Sequence, residues 1–135
     1  DIYLPDMKYA DEGTARVCSQ APNYPAVNAS AIGEMYRQVG RGKYAGDGTM
    51  ERGLIIRHLL LPNGLAGTES MARFVAETLS GKCPVSLMTQ YFPAYRAKGF
   101  PKLRRRLSRQ EFEEAMEILE RYRLSGGWMQ EMEWN

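Results

Sequence analysis

GLIIRHLLLP, residues 53–62, is the stretch whose reading decides the fold. It is a nearly continuous apolar run of strand length, bounded by glycine and proline and flanked by segments of helical period. It therefore reads as a buried parallel strand rather than a helix. Successive strand side chains point to opposite faces. Leu54, Ile56, His58 and Leu60 share one face and Ile55, Arg57, Leu59 and Leu61 the other, so one polar residue faces each way. An arginine buried in such a strand is costly unless an anion meets it, and that anion is either a structural carboxylate or a ligand.

Working outward, strand and helix patterns alternate. Residues 1–8, DIYLPDMK, read as a first strand with Ile2, Leu4, Asp6 and Lys8 on one face and Tyr3, Pro5 and Met7 on the other. Asp11 is a candidate N-cap for a short helix reaching Cys18. Asn23 and Pro25 open a longer helix whose stripe of Val27, Ile32, Met35, Tyr36 and Val39 ends at Gly40. The glycine-rich residues 40–53 leave a helix and enter a strand, the reverse of a dinucleotide-binding loop, and read as a connection with a small hairpin. Beyond the turn at 62–64, Thr68 caps a helix with Met71, Phe74, Val75 and Leu79 on its face. Residues 84–90 read as a third strand and 91–102 as irregular. Ser108 and Glu111 form a capping box ahead of a helix with Phe112, Ala115, Met116, Leu119 and Tyr122 inward. Residues 128–134, WMQEMEW, read as a terminal strand. This order implies an α/β class with right-handed crossovers and a mostly parallel sheet covered by flanking helices, in a single domain over 1–135. An open sheet and part of a barrel both satisfy it.

The totals bound the function classes. The chain has 135 residues, enough to bury a core, and a net charge of +2, too small to imply nucleic acid. Cys18 and Cys83 are far apart and fit no metal spacing, which favours reduced thiols in a cytoplasmic protein. No apolar run approaches the roughly 20 residues that span a bilayer, and no secretion signal precedes the first strand. The start at Asp1 suggests a chain cut from a longer one.

Ligands of parallel α/β folds gather at the carboxyl ends of the strands. Asp6, Lys8, Arg57, Gln90 and Tyr91 collect there. Lys8 and Arg57 suit a carboxylate, and Asp6 an ammonium or a cation, which together fit an amino-acid-like ligand. A buried ion pair of Asp6 with Lys8 or Arg57 explains the same residues without a ligand. His58 faces the helices as a hydrogen-bonded core residue. Residues 102–106, KLRRR, form a basic cluster that reads as a solvated or phosphate-touching surface. Asn28-Ala29-Ser30 matches a glycosylation sequon inside an expected helix.

YLPDMKY, APNYP, EMYRQVG, RGLIIRHLLLPNGLAGTE and SLMTQYFPAYRA, in this order over nearly the whole chain, resemble the C-terminal half of radical S-adenosylmethionine proteins similar to pyruvate formate-lyase activating enzyme. The resemblance implies that the chain is a C-terminal fragment supplying the later part of a partial (β/α)6 TIM-like barrel. It also implies an iron-sulfur oxidoreductase that cleaves S-adenosylmethionine to a 5'-deoxyadenosyl radical for hydrogen abstraction from a protein or small molecule. The 4Fe-4S cluster of the full-length protein would use a Cys-x3-Cys-x2-Cys loop that this chain lacks, leaving the fragment alone inactive. By the same resemblance, Asp6 and Lys8 belong to the cofactor-binding site, Arg57 approaches the cosubstrate carboxylate, and Tyr91 stands where the family has a histidine. Partners expected on this reading are the missing N-terminal half of the barrel and, through exposed sheet edges, a second copy of the fragment. A rival reading from a different class is a non-catalytic α/β binding or interaction module with a basic surface cluster.

Overall fold

In chain order the elements are β1 (Ile2–Tyr3), α1 (Glu12–Ser19), α2 (Tyr24–Val39), β2 (Lys43–Tyr44), β3 (Met50–Leu54), β4 (Ile56–Leu59), α3 (Thr68–Thr78), β5 (Val85–Met88) and α4 (Arg109–Arg121). This is a computed structural model that describes residues 1–124 and Trp134, so the expected terminal strand at 128–134 lies, apart from Trp134, outside the described residues.

The 53–62 run forms the end of β3 and all of β4, two strands in tandem that carry the pairing on both sides. β1 lies parallel to β3, with Ile2 opposite Gly53 and Tyr3 opposite Leu54, and the chain beyond β1 stays in register as far as a parallel bridge between Asp6 and Arg57. β5 lies parallel to β4 in the register Ile56 to Val85 through Leu59 to Met88. β2 folds back antiparallel on β3 as the expected small hairpin. Its turn is held by the Thr49 N–H, which donates to Asp47 Oδ1 at 2.9 Å. Gly53, at φ +149, is required where hairpin and strand meet, because a Cβ there would lie 2.9 Å from the Gly42 Cα.

Pleat alternation sorts the strand residues between a covered and an open face. Leu54, Ile56, His58 and Leu60 are all buried, and the three apolar ones pack with Val85 and Leu87 against Ile32 of α2, Met71 and Val75 of α3 and Ala115 and Leu119 of α4. On the opposite face Ile55 is buried as well, but Ile2 and Leu4 remain 44% and 52% exposed. This face has Asp6, Lys8 and Arg57 at its carboxyl end.

The barrel expectation is overturned. Among the described residues helix accounts for 45% against 14% for strand, and their strands form a three-stranded and a two-stranded sheet that do not close. Alternating β and α units are common to open and closed sheets, whereas closure requires strand number, tilt and stagger to agree. Five strands of two to five residues do not meet that requirement.

Local signals explain the helix ends. Asp11 Oδ2 accepts from the Thr14 N–H at 2.7 Å and caps α1. Ser108 and Glu111 form the reciprocal capping box of α4. Thr68 does not cap α3. That position belongs to Gly67, whose φ of +66 places it in the left-handed region, and the Thr68 hydroxyl is drawn to His58 instead.

Candidate functional site

At the carboxyl ends of the parallel strands a cleft of about 340 Å³ is lined by Asp6, Lys8, Arg57, Leu59, Met88, Gln90, Tyr91 and Phe92. The four residues singled out from sequence, Asp6, Lys8, Arg57 and Tyr91, thus reach one cavity. Asp6 and Arg57 face each other because their backbones form the last parallel bridge between the two strands. Arg57 Nε donates to Asp6 Oδ1 at 2.7 Å and its Nη2 to Oδ2 at 3.4 Å. Both side chains are partly exposed, 41% for Arg57 and 31% for Asp6, so the pair is open to solvent and to a ligand. Lys8 is exposed and has no ion-pair partner among the described residues.

Helix α2 fixes this end of the strand. Asn28 Nδ2 donates to the Asp6 carbonyl at 2.9 Å and Tyr24 Oη donates to the same oxygen at 3.3 Å. The Lys8 N–H donates to Tyr24 Oη at 3.1 Å. Burial pushes the Tyr24 phenol up from its ordinary value, so it stays protonated and able to donate. Sequence reasoning missed both supporting residues. In the sequence Asn28 stands out only as part of a glycosylation sequon, whereas its amide is turned inward to the strand.

Tyr91 lines the cleft with its ring and turns its hydroxyl away, donating to the Leu103 carbonyl at 2.7 Å. Burial, and then its proximity to Cys18 and Tyr9, raise its pKa. It therefore acts as a neutral wall that ties the basic segment to the cleft. Beyond that wall, a larger groove of about 520 Å³ is lined chiefly by Val17, Leu65, Phe100 and Leu103. The one carboxylate there, Asp11, is engaged in capping α1.

His58 points to the covered face and is fully buried. Its Nδ1 lies 2.7 Å from the Met7 carbonyl and its Nε2 3.1 Å from Thr68 Oγ1. A carbonyl only accepts, so Nδ1 carries the proton, and the neutral ring accepts from the Thr68 hydroxyl at Nε2. Burial lowers its pKa to about 4. His58 is a structural link from the first strand to α3.

No known family model matches the chain, and no solved structure does. An uncharacterized protein of Methanocaldococcus jannaschii, MJ0674, is 32% identical over 125 residues, covering 92% of this chain and 32% of that protein. The chain thus spans about a third of the length of the curated relative it matches.

These findings overturn the resemblance to pyruvate formate-lyase activating enzyme and, with it, the radical S-adenosylmethionine oxidoreductase assignment. Among the described residues the sheets are open where the family has a barrel, and the similar protein is an uncharacterized one that lends the assignment no support. Among the described residues no group of three or more His, Cys, Asp and Glu could hold a metal ion. The cysteines do not fit an iron-sulfur cluster either. Cys83 is buried, its thiol is pushed up to about 12 by desolvation, and it donates to the Leu54 carbonyl at 3.1 Å, so it is held as the neutral thiol rather than the thiolate that binds metal. Cys18 is likewise raised by burial. Among the described residues no helix is long and apolar enough to cross a membrane.

Proposed function

We propose that this chain is a non-catalytic binding module whose strand-end cleft takes a small ligand with an α-amino-acid end. The carrying observation is the convergence of one carboxylate and two cations, Asp6, Lys8 and Arg57, on a single cleft with apolar walls at Leu59, Met88 and Phe92. Arg57 presents one edge of its guanidinium to Asp6. The other edge and the Lys8 ammonium are donors suited to a ligand carboxylate. A carboxylate has about four lone-pair positions, so Asp6 can accept from a ligand ammonium while keeping Arg57. The apolar walls would take the ligand's side chain. The free thiols of Cys18 and Cys83 support a reducing, cytoplasmic setting.

Calorimetric titration with a panel of L-amino acids, including methionine, and with S-adenosylmethionine, which ends in the same group, tests this reading. Arg57→Ala should weaken binding by about tenfold or more, the usual loss for a charge-assisted hydrogen bond. Asp6→Asn should weaken binding of amino acids but not of the matching carboxylic acids. Absence of saturable binding across the panel, or an Arg57→Ala chain that is folded by circular dichroism and binds as the parent does, would refute it.

A further inference from the structure

The basic segment at 102–106 lies beside the cleft, although it is more than 40 residues from Arg57 in sequence. Leu103 and Leu107 are buried and anchor it at two points. Tyr91 Oη holds the Leu103 carbonyl at 2.7 Å, and Asn63 Nδ2 holds the Lys102 carbonyl at 2.8 Å. Arg105 is neutralised, with Nη2 at 2.7 Å from Glu111 Oε1 and a further bond to Asn63 Oδ1 at 3.1 Å. Arg106 is different. Its guanidinium lies over the Phe92 ring, 4.9 Å from the centroid, and Phe92 is a wall of the cleft. It has no carboxylate partner among the described residues.

Resting on the reading of the cleft as an amino-acid site, we propose that Arg106 supplies the rim of a second anionic subsite, so that the preferred ligand carries a phosphate or second carboxylate on its side chain. With Asp6 facing the ligand ammonium, the three cations Lys8, Arg57 and Arg106 are left for an α-carboxylate and a side-chain anion, a count that a phosphate of about −2 fills. The α-carboxylate lies at Lys8 and Arg57, and the second anion at the Phe92 end beside Arg106. Stacking on Phe92 holds the guanidinium by its face and leaves its edge, which carries the N–H donors, free for phosphate oxygens. The fixed backbone of residues 102–107 removes much of the ordering cost that a flexible surface arginine would incur on binding.

Titration with O-phospho-L-serine and with L-serine separates this inference from the reading it rests on. Phosphoserine should bind at least tenfold more tightly than serine. Arg106→Gln should abolish most of that preference while leaving serine affinity within twofold, and Phe92→Leu, which removes the stacking surface, should reduce it in the same direction. Equal affinity for the two ligands, or a preference that survives Arg106→Gln, overturns the second subsite while the amino-acid site stands. Failure of both ligands and of the wider amino-acid panel to bind overturns both.

Discussion

Lowering the pH from about 7.5 to about 5 should weaken folding by about 2 kcal/mol through His58 alone. The ring is buried between the Met7 carbonyl and the Thr68 hydroxyl. Its folded pKa is about 4 against an ordinary 6.5, chiefly because burial disfavours the charged form. A depressed histidine pKa means that the unfolded chain binds the proton first. Stability is therefore full above the ordinary value, falls as pH drops through 6.5, and levels off only near the folded value of about 4. The window is clean because this is the only histidine in the chain. The carboxylates held low by hydrogen bonds, Glu34 and Glu111 at about 2, lose their contribution only below their ordinary 4.5. Urea unfolding at several pH values, fitted with a common slope, measures the effect. His58→Asn keeps an amide donor near the Met7 carbonyl but has no proton to gain. It should be less stable at neutral pH by about 1–3 kcal/mol and flat across the same window. A parent protein whose stability does not change between these pH values, or an Asn variant that retains the slope, would refute the argument.

Other substitutions test the fold at separate points. Gly67→Ala should destabilise by about 2 kcal/mol or more, because its left-handed backbone disfavours a Cβ and that Cβ would lie 2.7 Å from the Ala10 Cβ; thermal unfolding reads this, and a neutral result would show that the α3 entry can relax. Ile56→Ala, at the fully buried centre of the covered face, should cost about 2–5 kcal/mol by urea unfolding, and a loss below about 1 kcal/mol would contradict the described core. Arg105→Gln should lower stability by up to about 1 kcal/mol above pH 4.5, as expected for a partly exposed ion pair. That difference should vanish as the pH falls toward 2, because the hydrogen bond from Arg105 is the main cause of the lowered Glu111 pKa.

The convergence of the candidate residues on one cleft was more legible in the sequence than the architecture around it. Asp6, Lys8 and Arg57 were recognisable because a charged residue in a strand pattern is conspicuous, and the two-residue pleat assigned each to a face without knowledge of the partner strand. Tyr91 was placed at the cleft, but its hydroxyl proved to hold the Leu103 carbonyl. Asn28, Tyr24 and Phe92 were not identifiable as site residues, since their roles depend on contacts with residues 14 to 22 positions away in the chain. Nothing in a helical stripe or an irregular aromatic segment specifies such contacts.

By itself the sequence determined what local rules can encode. The alternation in residues 53–62 set His58 toward the core and Arg57 toward the cleft, and Ser108 and Glu111 set the start of α4. Asp11 did the same for α1. Only the tertiary structure decided that the sheets remain open, that Thr68 serves His58 while Gly67 takes the cap position, and that the basic segment returns to lay Arg106 on Phe92. Periodicity and capping depend on neighbours within a turn or a pleat. Closure of a sheet and the meeting of distant side chains depend on how whole elements pack, which the same local patterns allow in more than one way.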